Sequence, residues 1–564
     1  MRLSTDEERD EERALETIAA AAEAGITVFD TARAYGHGEA ELGHNERLLA
    51  GALRRAGAHE TARVVTKGGM TRAGGGWITD GRAKAIRADC EASLAALDGL
   101  AIDLYLIHAP DPRTPWRTSV RALARLVDEG LVKRVGVANV SRHQLDEALE
   151  LAPVAAVQVA LSPFDDRALR GGIVERCAET GVAMIAHSPL GGPRRAGGLA
   201  RKQELADVAE ARGATPAEIA LAWLLDLSPA VVAIPGARRP ETARSAARAA
   251  ALELDGDDRA VLARALGGPR PAPRERPRAE SDADVVLVMG IPGAGKSRVA
   301  EEYVARGYVR LNRDERGGSL RELADALDEK LSSGARGVVL DNTYLTRALR
   351  SHVLEAAARH GVPARCVWLD TPLAQAQVNL VERLLERRGS LPAPDELREA
   401  AKHEPGVLAP TSQMRAFREL EPPAADEGWA DVEHVPFERA PSTRARVGVF
   451  VGAAALLEPG WERAIEQGDP SAPHLVYDWS PSGDADALEA AAALLSAKVS
   501  GPVETALCPH PAGPPTCWCR PPLPGLALAF ARAHGVDPAR SFLVGATPAH
   551  RTLATTLRAR YLDV

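Results

Sequence analysis

From residue 12 to about 266, stretches with helical apolar periodicity alternate with short β-branched runs. The runs are ITVFDT, RVVTKG, IDLYLIH, RVGVANV, AAVQVAL, AMIAHS and AVVAIPG. Strands separated by single helices predict βαβ units and a parallel sheet. Seven or eight such units in roughly 260 residues fit a closed (β/α)8 TIM-type barrel better than an open sheet. The barrel is expected over residues 1–266. The stretch GGPRPAPRERPRAESD, residues 267–282, crowds proline with arginine and has no apolar periodicity. It reads as a semi-rigid linker. The strand pattern restarts at Val285, so a second α/β domain is expected over 283–438. After FERAPSTRARV a third α/β region, 444–564, opens on an apolar run and closes with SFLVGATPAH.

The bulk numbers leave this division intact. With 564 residues, 45% hydrophobic and 26% charged, the chain has material for several cores. A net charge of −8 supplies no global basic field for nucleic acid, although a local basic groove remains compatible with it. The absence of a run of about 18 apolar residues and of a charged-then-apolar leader predicts no membrane span and no signal peptide, hence a cytoplasmic protein. Of the six cysteines, Cys90, Cys177 and Cys366 are scattered in apolar surroundings and are expected as buried thiols. Cys508, Cys517 and Cys519 cluster around His510, which reads as metal before disulfide.

In the first half, Asp30 closes one predicted strand and Tyr35 follows in the next loop; Lys67 and His108 close two further strands. Ionisable groups at the C-terminal ends of successive strands occupy the place where such a barrel keeps its chemistry. A lysine beside a tyrosine is expected to lower the phenol pKa and make it a general acid toward a carbonyl. The aspartate would hold the lysine, and the histidine would orient the carbonyl.

With these residues in place, residues 1 to about 265 resemble an aldo-keto reductase. The resemblance assigns tetrad roles to Asp30, Tyr35, Lys67 and His108. It assigns nicotinamide contacts to Asn139 and Gln158, a cofactor loop to Ser188 and Leu190, and an adenosine-phosphate segment to Gly236, Arg238 and Arg239. Two adjacent arginines suit a 2′-phosphate, which favours NADPH. The chain departs from the family at Ala138, where a serine is usual, and at His187, where an aromatic ring stacks. It departs also at Ser245 and Ala246, where an acid and an asparagine hold adenine. MRLST, which follows the first barrel strand in the family, stands here at the start. About seven strands are therefore countable, which fits an upstream start or a barrel open on one side.

The middle region carries GIPGAGKS after the strand VVLVM and before a helical pattern. Gly290, Gly295, Lys296 and Ser297 fit the phosphate-binding loop, with Gly293 between them. The loop amides would cradle phosphates, Lys296 would reach the β/γ oxygens, and Ser297 would ligate Mg²⁺. Asp314 ends the next predicted strand, where a carboxylate can accept a hydroxyl proton. Asp341 ends a third. Asn379, Arg383 and Arg387 recur at four-residue spacing on one helix face, as a lid over the γ-phosphate; Arg387 on its own reads as a solvated charge. Together these motifs resemble the kinase module of polynucleotide 5′-kinases over about 284–438. That resemblance makes Asp314 the general base, Arg383 the lid arginine, and Arg313 and Asp341 neighbours of the acceptor nucleotide. DNA, RNA and a small molecule all stay open as acceptors.

The tail segment ALCPHPAGPPTCWCRPPLPG resembles the zinc loop of histidinol- and heptose-phosphate phosphatases of the haloacid-dehalogenase class. Cys508, His510, Cys517 and Cys519 would supply one tetrahedral Zn²⁺ site. The class needs an aspartate nucleophile with a second aspartate two residues on; here the positions hold Gly452 and Ala454. Ala546, His550 and Leu523 stand where the remaining acids and a lysine belong. A Rossmann-like domain with structural zinc and no phosphatase chemistry is expected. The leading reading is a bifunctional fusion of an NADPH-dependent reductase and an ATP-dependent kinase. Two others stay open: a nucleic-acid repair kinase with an NADPH-sensing barrel, and a reductase fused to a small-molecule kinase.

Overall fold

The computed structural model describes residues 1–267 and 283–564. The Pro/Arg-rich stretch from 268 to 282 lies outside the described residues. The chain forms two compact units, divided within that stretch. In the first, seven parallel strands lie in chain order: β1 (Val28–Asp30), β2 (Arg63–Gly68), β3 (Ile102–Ile107), β4 (Val135–Ala138), β5 (Val154–Ala160), β6 (Ala183–His187) and β7 (Val231–Ile234). The two-residue period of a strand puts Val65 and Lys67 on one face of β2 and Val64 and Thr66 on the other. Val65 joins Leu104, Leu106, Ala138, Ala156 and Ile185 in a small inner cluster. Val64 joins the larger cluster shared with the surrounding helices. Among the described residues β1 and β7 do not pair with each other, and Val28 and Val232 on them stay 38% and 39% exposed. The barrel is nearly closed, with a seam between those two strands.

Some helices of this unit are capped by side chains at their starts. Ser141 and Gln144 form a capping box, as do Thr215 and Glu218, satisfying amide groups that a helix start leaves unpaired. Each helix returns the chain to the same end of the sheet, so every strand points its C-terminal end toward one rim.

The second unit holds two five-stranded parallel sheets. One comprises β8 (Asp284–Met289), β9 (Val309–Leu311), β10 (Gly337–Asp341), β11 (Ala364–Asp370) and β12 (Asp431–Pro436), in the order β9-β10-β8-β11-β12. The other comprises β13 (Val449–Gly452), β14 (His474–Trp479), β15 (Val503–Cys508), β16 (Phe542–Gly545) and β17 (Arg560–Asp563), in the order β15-β14-β13-β16-β17. In both, the first strand is central and the order reverses there, which opens a crevice at its C-terminal end. Four helices matter below: α1 (Lys296–Val304), α2 (Leu373–Arg388), α3 (Gly525–His534) and α4 (Pro548–Leu557). The regions 283–438 and 444–564 each keep a sheet but share a core. Val381, Leu384 and Leu385 of α2 lie in one apolar cluster with Trp518 and with Leu528 and Ala531 of α3. Arg444 clasps Glu382 of α2 at 2.9 and 2.8 Å across the same joint. Among the described residues, no helix is long and apolar enough to cross a membrane.

Candidate active sites

The barrel rim gathers the four expected groups. Lys67 Nζ, buried at 1% exposure, donates to Asp30 Oδ1 at 2.6 Å, to the Thr31 carbonyl at 2.8 Å and to the Tyr35 hydroxyl at 3.3 Å. Burial lowers the pKa of the ammonium, but Asp30 and Tyr35 together outweigh it and raise it above the ordinary value. The expected lowering of the Tyr35 phenol is corrected: burial raises its pKa, and the opposing pull of Lys67 does not offset this. His108 is pushed down to about 3 by burial, with Lys67 and His187 adding to it, so its imidazole is neutral. Its ring stands 5.6 Å from that of Tyr35, and its buried Nδ1 meets no partner among the described residues.

The expected cofactor contacts divide. Gln158 Nε2 donates to Asp30 Oδ2 at 2.7 Å, which ties it to the Lys67 chain. Asn139 adopts a left-handed backbone (φ 56°) and donates to the His108 carbonyl at 2.9 Å. His187 is tied into the rim: its Nε2 lies 3.0 Å from Asn139 Oδ1 and its Nδ1 3.3 Å from Ser188 Oγ. Ser188 is exposed and also left-handed (φ 52°), with Leu190 half-buried behind it. Arg238 and Arg239 are exposed beside Gly236, just before the helix Pro240–Ala249. Arg238 is paired with Asp6 at 2.7 Å. Ser245, at a departure from the family, bonds buried Glu218 at 2.8 Å.

In the second unit the phosphate-loop glycines take backbone that side chains disfavour: φ is 151° at Gly290, 89° at Gly293 and 95° at Gly295. A Cβ on Gly293 would collide with the Ala376 carbonyl oxygen of α2. The loop therefore closes against that helix only without a side chain. Lys296 Nζ donates to the carbonyls of Gly290 and Ile291, each at 3.0 Å. Burial lowers its pKa to about 8; Asp341 and Asp314 oppose this and Arg383 adds to it. Those four charges thus share one neighbourhood. Asp314 is exposed on the turn Arg313–Arg316, whose start is capped by Asn312. Arg313 is exposed beside it. Asp341 is turned inward, held by Arg310 at 2.9 and 2.7 Å and by Asn312 at 2.9 Å. Ser297 is exposed in the first turn of α1.

The three residues expected on one face of α2 each bond a backbone carbonyl. Asn379 donates to the Gly293 carbonyl at 2.8 Å, Arg383 to Gly406 at 3.1 Å and Arg387 to Pro405 at 3.0 Å. Arg387, read in isolation as a solvated charge, is exposed, and its bond to Pro405 sits next to the Gly406 carbonyl that holds Arg383.

In the third sheet Cys508, His510, Cys517 and Cys519 place one ligand atom each within 4.8 Å of all the others. A Zn–S bond of about 2.3 Å implies tetrahedral S···S edges of about 3.8 Å. Here Cys508–Cys517 is 3.8 Å, Cys508–Cys519 is 3.4 Å and His510 Nδ1–Cys519 is 3.1 Å. At the central strand, the His550 ring of α4 covers Gly452, where a Cβ would collide with His550 Cε1. Ala546 donates its amide to His550 Nδ1 at 3.2 Å.

Comparison with known proteins matches residues 1–266 to the Aldo/keto reductase family and residues 285–404 to an AAA domain. Aldo-keto reductase str7 of Strobilurus tenacellus is 30% identical over 284 residues, covering 45% of this chain and 81% of that protein. Through its N-terminal half, this chain belongs to the aldo/keto reductase family. An uncharacterized oxidoreductase of Schizosaccharomyces pombe is also 30% identical, over 254 residues that cover 45% of this chain and 78% of the relative. A crystal structure of an aldo/keto reductase from Klebsiella pneumoniae, in complex with NADP and acetate, is 27% identical and covers 48% of this chain and 91% of its own, with a TM-score of 0.41.

The reductase half also contains site residues that sequence reasoning missed. Trp77, on a hairpin formed by Met70–Ala73 and Gly76–Thr79, sets its ring 6.2 Å from Tyr35 and 6.1 Å from His108. Arg72 of the same hairpin stacks over that indole at 4.1 Å. The GGG turn between the two short strands was the available signal, since Gly74 and Gly75 both take positive φ.

Proposed function

We propose that the barrel reduces aldehydes or ketones with NADPH and that the P-loop domain phosphorylates a hydroxyl, most naturally a polynucleotide 5′-hydroxyl. The observation that carries the first activity is the buried chain Asp30–Lys67–Tyr35 beside a neutral His108. A bound reduced nicotinamide supplies the hydride. The chain's own groups supply the rest. The neutral imidazole of His108 donates a hydrogen bond to the carbonyl oxygen. The Tyr35 phenol gives its proton to that oxygen as negative charge develops there. Lys67, fixed by Asp30, then faces and stabilises the phenolate. Asn139, Ser188, Leu190 and the exposed pair Arg238–Arg239 would hold the dinucleotide; its phosphate would compete with Asp6 for Arg238. Two neighbouring guanidinium groups suit the extra 2′-phosphate, which supports NADPH over NADH. Comparing Tyr35→Phe with the parent on a panel of aldehydes tests the assignment, and equal NADPH consumption defeats it.

For the second activity, the loop amides and Lys296 would hold the triphosphate, and Ser297 the Mg²⁺. Asp314, exposed and in electrostatic reach of Lys296 and Arg383, would accept the hydroxyl proton. Inward-facing Asp341 would act through Arg310 and Asn312 rather than by touching the acceptor. Lys296→Ala should abolish ATP binding or turnover, whereas Asp314→Asn should keep ATP binding and lose transfer. Equal loss of ATP affinity in both rejects the role of Asp314.

For the third region we propose a haloacid-dehalogenase-like fold without that chemistry, serving as a zinc-tied support for α2. Gly452 offers no nucleophile, and His550 fills the space one would need. The four-ligand cluster has a donor set and spacing that suit Zn²⁺. Between its cysteines, Trp518 is 1% exposed and donates to the Leu408 carbonyl at 3.0 Å. That carbonyl lies two residues from the one holding Arg383.

A further inference from the structure

Arg72 is a cation beside the carbonyl site with no counter-ion among the described residues. The residue is 8% exposed, and one terminal nitrogen donates to the carbonyl of His37, two residues past Tyr35, at 3.3 Å. Its Nε and its other terminal nitrogen are buried without an acceptor among the described residues. The guanidinium lies 4.1 Å over the Trp77 ring, and that ring contacts both Tyr35 and His108 edgewise. One indole therefore links the unpaired charge to the catalytic rings. A guanidinium does not escape burial by losing its proton. Its interaction with the indole face offsets only part of the lost hydration. Nearby arginines do find carboxylates: Arg33 meets Asp89 at 2.9 Å, and Arg113 meets Asp111 at 3.1 Å. The group that would complete Arg72 is an anion brought from outside the chain.

We infer that Arg72 is a specificity-determining residue, and that the carbonyl substrate carries a carboxylate or phosphate. The inference rests on the reductase reading. The Trp77 hairpin would shift to admit the anion to the two unpaired nitrogens, and the carbonyl would lie against Tyr35 and His108. The test compares kcat/KM for 4-oxobutanoate against butanal and for glyceraldehyde 3-phosphate against glyceraldehyde, in the parent, Arg72→Met and Arg72→Lys. The expected result is an anion preference of at least about 10-fold in one pair. Arg72→Met should remove it mainly through KM, and Arg72→Lys should retain part of it. Which pair shows the preference distinguishes carboxylate from phosphate. Calorimetric binding of succinate, glycerol phosphate and uncharged succinamide provides a readout that needs no turnover. Anion binding that survives Tyr35→Phe but is lost in Arg72→Met supports the inference even if no aldehyde is reduced. Equal handling of charged and neutral partners by the parent, or an anion preference unchanged in Arg72→Met, overturns it.

Discussion

Tyr35 is 8% exposed and its hydroxyl lies 3.3 Å from the Lys67 ammonium, so two opposing influences act on its proton. Burial prevails and raises its pKa, which keeps the phenol protonated. Reduction uses that protonated form. Its rate should be flat from roughly pH 6 to 9 and fall only at higher pH, while the reverse oxidation, which needs phenolate, should rise with pH. His108, held to about 3, should contribute no break near neutrality. A steady-state pH profile checks both statements, and a break at the ordinary histidine value contradicts the second. Tyr35→Phe should cost roughly 10²–10⁴-fold in kcat. Lys296 carries the opposite kind of shift: burial lowers it to about 8, so between about 8 and its ordinary value the free protein has lost a proton that phosphates would restore. MgATP binding in that window should take up protons. Calorimetry in buffers of differing ionisation enthalpy measures this, and zero uptake refutes the shift.

Helix α2 is where the P-loop, the 404–406 segment and the loop bearing Cys517–Cys519 meet. Gly293 touches it at the Ala376 carbonyl, so Gly293→Ala should weaken ATP binding without disturbing the barrel. A Phe in place of Trp518 keeps most of the packing and removes the donor to Leu408. Losing that half-buried hydrogen bond should cost about 1 kcal/mol in stability. Phosphoryl transfer should fall more than ATP affinity, because Arg383 leans on the same segment. Thermal melts together with kcat and KM decide; an unchanged Tm and kcat would reject the support role. These contacts were illegible in the sequence. Spacing placed Asn379, Arg383 and Arg387 on one face, but nothing in it said that the face grips backbone carbonyls. The barrel strands and the phosphate loop were legible, because their apolar runs and glycines reflect local constraints. Trp77 and Arg72 were not, because a hairpin's placement over a site depends on packing between segments distant in sequence.

The whole chain joins a family-assigned barrel to a unit in which two sheets share a core, and its pieces should therefore be assayed together. Metal analysis of the full-length protein should give close to one zinc per chain, removed by Cys508→Ser with Cys517→Ser; a value near zero dismisses the metal. Under the proposed function, phosphoryl transfer depends on Asp314 and is indifferent to Tyr35. The most direct measurement is transfer of labelled γ-phosphate from ATP to a 5′-hydroxyl oligonucleotide by the full-length parent, Tyr35→Phe and Asp314→Asn. Labelling by the first two, and ATP binding without labelling by the third, is the predicted result. No labelling by the parent, or equal labelling by Asp314→Asn, would contradict it.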